Sequence, residues 1–343
     1  MYFKGYAYTS FACDGFEQGA RGSAIRDLRA QTGSTWIALT FFEFQRHAHS
    51  VEIAPHTTHT NPETGKPWYG TSSRDDLRIA VRDARSEHVR IMLKPHVDCY
   101  SGEWRARITP DRAGAWFTAY AQMMMKYARL ASEEHIEMLC IGTELISATQ
   151  ERFSAQWRSL IADIRSVYSG MLTYSSNWTG LFDAVPEYEQ ISFWNELDLI
   201  GVSAYLPIAG SVTHALPADA EAESRLHAHG ARLSALAVRT GRRVVLTECG
   251  CRSVAGALID PADSSDASHG STRADESAQA CYYTAVLKYF GSRPWCAGIF
   301  WWNWEAVPGA REAIDYTCRG KFAARVLKEF YTTGNEPRPG PIV

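Results

Sequence analysis

The 343-residue chain has no apolar run of transmembrane length. Its opening, Met1 to Gly15, has no basic run followed by an apolar stretch, so no secretory leader is expected there. A cytoplasmic protein is the expectation unless a leader has been removed. Charge of one sign is also missing. Lys and Arg number 35 against 38 Asp and Glu, a net charge of -3. That gives no basic field to hold nucleic acid or an anionic membrane, and the expected substrate is neutral or weakly charged. Eight cysteines (Cys13, Cys99, Cys140, Cys249, Cys251, Cys281, Cys296 and Cys318) are scattered without a CxxC pair. A chain this long needs no disulfide framework, so buried thiols in a reducing compartment are expected. No GxGxxG and no GxxxxGK[ST] is present, which removes the phosphate-cradling loops of dinucleotide and nucleotide sites. What the chain does have is aromatic bulk, with 11 Trp and 16 Tyr. Part of that fills a core. The rest suits a sugar, whose C–H face is apolar while its edges carry hydroxyls.

Eight short apolar segments alternate with helical patterns. The strands are expected at Phe3 to Ser10, Trp36 to Phe44, Arg90 to His96, Glu137 to Gly142, Leu172 to Ser176, Leu199 to Ala204, Arg243 to Thr247 and Gly298 to Asn303. Nearly unbroken apolar runs suit parallel strands buried on both faces. The helices are expected at Ser23 to Gln31, Ser73 to Glu87, Ala113 to Ser132, Phe153 to Tyr168, Ser192 to Leu197, Ala220 to Thr240, Ala274 to Phe290 and Arg319 to Tyr331. Ser73 followed by acids reads as a capped start, and Gly170, Gly241 and Gly291 read as stops. Eight strand–helix units predict an α/β fold, a single-domain (β/α)8 TIM barrel over residues 1–343; an open doubly wound sheet is second. The longest connections, about Gln45–Ser72, Val97–Arg112, Tyr205–Asp219 and Cys249–Arg273, all leave the carboxyl ends of strands. In this fold that rim carries the chemistry.

Two glutamates stand at that rim. Glu144 lies just past strand 4 and Glu248 just past the run Val244-Val245-Leu246 of strand 7. Each alone reads equally well as half of a surface ion pair. Together they can point at one central cleft. Two carboxyls about 5–5.5 Å apart would support double displacement at a glycosidic bond, one protonated to assist the leaving group and one ionised to attack. Burial and mutual repulsion would separate the two pKa values.

The stretches around these glutamates resemble clan A glycoside hydrolases, and most closely family 113, whose known members are β-mannanases. The matching residues are Ile141-Gly-Thr-Glu144-Leu, Trp157 to Arg165, Tyr168 to Trp178, Phe193 to Tyr205, Leu246-Thr-Glu248-Cys-Gly and Gly298-Ile-Phe-Trp-Trp-Asn-Trp304. The likeness runs from strand 4 to strand 8 and is weaker before. It implies a (β/α)8 fold, retention of configuration, Glu144 as acid/base and Glu248 as nucleophile. The chain departs from the clan at Thr143, where most members have an Asn that binds the sugar 2-hydroxyl. The identity of the sugar is what that departure opens.

Other residues are candidates for contact with substrate. Tyr205, past strand 6, can donate to Glu248. Trp301 and Trp302 are neighbours on strand 8, so one faces the barrel and the other the helices; Trp302 is preferred as the floor under the sugar. Asn177 and Trp178 end strand 5 and offer a polar contact and a stacking face beside Glu144. Lys94 and His96 share one side of strand 3; Lys94 needs a carboxylate partner. Glu43 ends strand 2 and is expected to orient Lys94 or a hydroxyl. Asp98 and Trp104, on the strand 3 loop, are expected to line an outer subsite. His47, His49, His56 and His59 suggest zinc by spacing, but no Cys accompanies them, and solvated loop histidines are the favoured reading, with no metal and no cofactor expected. Among the remaining acids Glu196, Asp198 and Glu305, Asp198 sits at the amino end of strand 6, where stability is the expected role. The leading reading is a retaining β-glycoside hydrolase on β-1,4-mannan or manno-oligosaccharides. The alternatives are an exo-acting β-glycosidase or β-hexosaminidase on the same scaffold, and a non-catalytic carbohydrate-binding barrel. Oligomeric state has no signature in the sequence.

Overall fold

The computed structural model describes residues 2–58, 60–181, 185–210, 216–265 and 273–333. Eight parallel strands close into a barrel in chain order, with the last pairing the first. They are β1 (Phe3–Thr9), β2 (Trp36–Gln45), β3 (Arg90–Cys99), β4 (Met138–Thr143), β5 (Met171–Asn177), β6 (Leu199–Ser203), β7 (Arg243–Cys249) and β8 (Cys296–Glu305). The helices around them are α1 (Gly15–Arg21), α2 (Ala24–Thr32), α3 (Arg74–Ser86), α4 (Ala113–Glu133), α5 (Ser154–Arg165), α6 (Glu187–Gln190), α7 (Asp219–Thr240), α8 (Glu276–Phe290) and α9 (Phe322–Thr332). The expected barrel is the observed one. No helix among the described residues is long and apolar enough to cross a membrane.

Strand alternation sorts the side chains into two shells. Inside the barrel, Phe3, Trp36, Met92, Met138, Leu199, Val245 and Phe300 form a plug, with the Phe3 and Trp36 rings edge to face at 4.9 Å. The intervening residues, such as Ile37, Leu39, Leu93, Ile141, Leu246 and Trp301, pack outward against the helices. Glycine makes room where strands crowd. A Cβ on Gly201 would meet the Tyr174 carbonyl oxygen at 2.3 Å.

Three local expectations needed correction. Helix α1 was not anticipated, since seven residues with two glycines are poor helix formers alone. It is held from outside by the Asp76 carboxylate, which accepts from the N–H groups of Phe16 (3.3 Å) and Glu17 (2.7 Å). The helix expected at Ser192 to Leu197 is a single 3-10 turn, Trp194–Glu196, because Phe193 is drawn into the core to stack on Trp157. Strand β3 extends to Cys99 because its register with β2 continues to the Gln45–Cys99 pair, so Asp98 is on the strand and not in the loop. At the amino end of β6, Asp198 accepts from Leu172 N–H at 2.7 Å and pairs with Arg165, the stabilising role expected of it.

Gly201→Ala should destabilise the protein by about 1–3 kcal/mol or more, because the obstructing atom is backbone and cannot rotate away. A denaturant midpoint unchanged from wild type would contradict this packing.

Candidate active site

Alternation along β3 places Lys94, His96 and Asp98 on the inner face, following Met92. The two rim glutamates are placed differently. On β7, Val245 faces in and Leu246 out, so strict alternation would turn Glu248 outward. The pairing of β6 with β7 slips there, from Val202–Leu246 to Ser203–Glu248. That bulge re-aims Glu248 into the barrel mouth. On β4 the register also slips between Cys140 and Thr143. Glu144 follows with φ of 53°, a left-handed conformation for a non-glycine residue, held by its N–H to Ser175 O at 2.8 Å. A third slip, between β1 and β8, falls at Trp302 and Asn303, whose peptide bond is cis.

The result is a cavity of about 640 Å³ at the carboxyl ends of the strands, lined by Glu144, Glu248, His96, Tyr205, Asn177 and Trp302 among others. Its apolar walls are Phe11, Phe42, Trp68 and Tyr69 on one side and Trp104, Trp178 and Tyr316 on the others. Phe42 and Phe11 stack at 5.3 Å, and Tyr69 leans on both.

Glu248 is nearly enclosed and surrounded by donors. Lys94, fully buried, pairs with its Oε1. The Tyr205 hydroxyl donates to Oε2 at 2.8 Å. His96 Nε2 lies 3.5 Å from Oε1. Burial first, then the charges of Arg105 and Lys94, push the His96 pKa well below the usual value, so the ring is neutral. Arg105 Nη1 lies 2.6 Å from His96 Nδ1. Lys94 Nζ lies 3.1 Å from Nε2, so a donor faces each ring nitrogen, and a neutral ring can accept from only one of them. Arg105 in turn donates to Asp98 Oδ1 at 2.8 Å.

Glu144 carries the opposite perturbation. Its pKa is raised by burial first and by the Glu248 charge second, with Arg105, Lys94 and the Trp104 indole opposing. Its Oε1 accepts from Asn177 Nδ2 at 2.8 Å. One carboxyl is thus favoured as the acid while the other sits among donors suited to a carboxylate.

Most sequence candidates meet here, and three do not. Trp301 faces away from the cavity, its ring 3.9 Å from Tyr283 and its indole N–H on the Tyr331 hydroxyl, because it has the outward parity of β8. Trp302, with the inward parity, lines the cavity, stacked parallel to His96. Glu43 also has outward parity and does not reach Lys94; it accepts from Lys126 and Tyr127 on α4. Thr143 is buried and does not line the cavity. Lys94 meets the carboxylate partner it needed, and acts on Glu248 from beneath the cavity rather than on its surface. Asp98 lines the cavity with its carboxylate engaged by Arg105, while Trp104 stands 42% exposed at the lip. Trp178 lines the cavity and also packs edge-on against His229 of α7. Of the histidines, His49 bonds to Thr109 O, His56 packs between Phe44 and Tyr100, and His59 lies outside the described residues. Among the described residues no group of His, Cys, Asp or Glu could hold a metal ion.

Sequence reasoning missed Arg105, Phe42, Tyr69 and the buried Glu187. Phe42 was within reach, since it shares the inward parity of Trp36 on β2. Arg105 was not, because its position depends on the path of the strand 3 loop.

The family model of glycoside hydrolase family 113 matches residues 6–321. The chain belongs to glycoside hydrolase family 113. Among solved structures, a complex of a family 113 β-1,4-mannanase is 25% identical, with a TM-score of 0.80 over 97% of this chain and 99% of its own. The family 113 β-mannanase AaManA from Alicyclobacillus acidocaldarius, solved with ManMIm, is also 25% identical, with a TM-score of 0.78 over 97% of each chain. A β-glucuronidase from Ruminococcus gnavus shares the fold at 15% identity, with a TM-score of 0.60 over 96% of this chain and 50% of its own. No curated protein matches the chain by sequence. The family 113 match runs from within β1 to beyond β8, so it includes strands 2 and 3, where the resemblance in the sequence is weaker.

Parity on β8 separates two neighbouring tryptophans by experiment. Trp301→Ala should lower stability by about 3–5 kcal/mol, the usual effect of emptying a buried aromatic site. Trp302→Ala should lose less stability but raise KM roughly tenfold, for about 1.4 kcal/mol of lost stacking on the sugar. Thermal unfolding and steady-state kinetics on both variants check the assignment; equal KM effects would refute it.

Proposed function

We propose that this chain is a retaining β-glycoside hydrolase acting on β-1,4-mannan or manno-oligosaccharides by double displacement, with Glu144 as acid/base and Glu248 as nucleophile. The observation that carries the reading is the division of labour between the two carboxyls. Glu248 receives Lys94 on one oxygen and Tyr205 on the other, while burial and the Glu248 charge favour protonated Glu144. The β-mannanase identity of the family 113 structures supports the substrate class.

In the first step a Glu248 oxygen attacks the anomeric carbon, and Glu144 passes its proton to the departing glycosidic oxygen. The C–O bond to the leaving group breaks as the glycosyl ester on Glu248 forms. Esterification removes the Glu248 charge, one of the causes that raised the Glu144 pKa, so Glu144 is then suited to remain ionised. In the second step Glu144 takes a proton from water, the water oxygen attacks the anomeric carbon, and Glu248 leaves as a carboxylate. Two inversions give retention. Arg105 and Lys94 set positive charge beside the two acids, and Trp302 and Phe42 supply apolar surface for the sugar face.

The first-formed product of manno-oligosaccharide hydrolysis, followed by NMR, should be the β-anomer. An α-anomer as first product would overturn double displacement, and turnover only of non-mannose β-glycosides would move the substrate class. The same product analysis reads internal against terminal cleavage.

The pH profile tests the assigned acid. Glu144 works protonated in the first step, so kcat/KM falls as pH rises past its pKa. The Arg105 charge favours the carboxylate, so Arg105→Gln should move that alkaline limb to higher pH while lowering the maximum. A limb that stays put or moves to lower pH would contradict the assignment.

A further inference from the structure

One buried carboxylate close to the site is absent from the mechanism above. Glu187, the first residue of α6, is 1% exposed and does not line the cavity. Its Oε1 accepts from the Thr149 hydroxyl at 2.9 Å and the Tyr174 hydroxyl at 2.7 Å. Its Oε2 accepts from the backbone N–H of Asn177 at 2.6 Å. Each of these donors belongs to the surroundings of Glu144. Asn177 is the residue whose amide touches the Glu144 carboxyl. Its own orientation is fixed, because Oδ1 accepts from Thr179 N–H (2.8 Å) and the Thr179 hydroxyl (2.9 Å), which turns Nδ2 toward Glu144. The Tyr174 hydroxyl accepts from Leu145 N–H at 2.7 Å, the peptide that follows Glu144. Thr149 closes the segment that begins there, its hydroxyl also reaching Ile146 O at 3.2 Å.

We propose that Glu187 is the positioning residue of the acid/base: from outside the cavity it fixes both the backbone around Glu144 and the amide that orients its carboxyl. The backbone part matters because Glu144 is in the left-handed region, at φ of 53°. Such a conformation persists only when its surroundings over-determine it. The bonds that do so run to Ser175 O on one side of the residue and, through Tyr174, to Glu187 on the other. The side-chain part matters because general acid catalysis requires the proton to point at the leaving oxygen. A carboxylate is the group that can accept from three separate donors at once; a neutral amide in its place puts N–H against N–H. Burial holds the Glu187 pKa up at about 7, against the pull of Asn177 N–H, Tyr174 and Thr149, so the group is retained in a place that disfavours its charge. This inference rests on the assignment of Glu144 as acid/base.

Leaving-group dependence supplies the test. A dinitrophenyl glycoside departs without a proton, whereas a sugar leaving group needs one. In Glu187→Gln, hydrolysis of manno-oligosaccharides should fall roughly 10–100-fold, part of the 10²–10⁴-fold that a general acid contributes, while glycosylation by the dinitrophenyl mannoside stays within about threefold. Tyr174→Phe, which removes only the bridging hydroxyl, should give the same selective loss, and the double variant should lose less than the product of the two. An equal loss on both substrates, or none on either, overturns the proposal. The side-chain amide NMR signals of Asn177 give a readout independent of turnover. They should shift in Glu187→Gln, and unshifted signals overturn the proposal even if the wild type proves inactive on every β-mannoside, an outcome that by itself would retire only the hydrolase reading.

Discussion

The pairing of Lys94 with Glu248 is the interaction on which the site depends. A carboxylate 5% exposed at the mouth of a barrel is stable only if its charge is answered, and the answer must come from inside. Lys94, fully buried on the inner face of β3, supplies it. Removing one member of such a pair usually costs 3–5 kcal/mol because the other charge is left alone. The pair therefore ties the fold to the site: the lysine that meets the buried Glu248 carboxyl is itself fixed on the inner face of β3. His96 is held neutral by burial and by the charges of Arg105 and Lys94, which face its two ring nitrogens.

Glu144 lies in the same neighbourhood as Glu248. Its pKa is raised by burial and by that neighbouring charge, and the cations that stabilise Glu248 only moderate the effect. The two glutamates are chemically alike and acquire different roles from what surrounds them. Their aim comes from the backbone. Both stand where the strand ladder slips a residue, and Trp302 stands at a third slip. Regular strands would build the barrel, but the irregular positions at its rim turn these side chains toward one cavity.

That contrast explains how much the sequence revealed. The barrel was legible because buried parallel strands are long apolar runs, and period-two alternation is a property of every regular residue in them. Alternation also places Lys94 and His96 on one face and sets Trp301 and Trp302 on opposite ones; Asp98, expected in the loop, shares the inner face because β3 runs on to Cys99. Applied to β2, alternation would have turned Glu43 outward, toward Lys126 and Tyr127, where the structure has it. Rim geometry was not legible by the same rule. At Glu248 strict alternation gives the wrong face; its place just past the apolar run of strand 7 singled the residue out, and the resemblance of Leu246-Thr-Glu248-Cys-Gly to a family pattern implied its role. Arg105 and Glu187 left no local signal at all. Each lies on a connection, and each acquires its position from partners on other elements: Asp98 and His96 for the one, Thr149, Tyr174 and Asn177 for the other.

Thr143 shows how a departure from the family pattern is absorbed. The sequence sets it beside Glu144 as a shorter replacement for the clan's asparagine, yet its side chain is buried off the cavity. The amide that approaches Glu144 comes from the neighbouring strand, through Asn177. The ladder partner of Thr143 is Ser175, and it is Asn177, two residues further along β5, that points its amide at the Glu144 carboxyl. A contact provided from β5 has to be held by something on the far side of β5, and the buried carboxylate on the Asn177 backbone N–H is there. The Glu144 carboxyl is thus addressed through its neighbour strand, and the connection from β5 to β6 reaches it through Asn177.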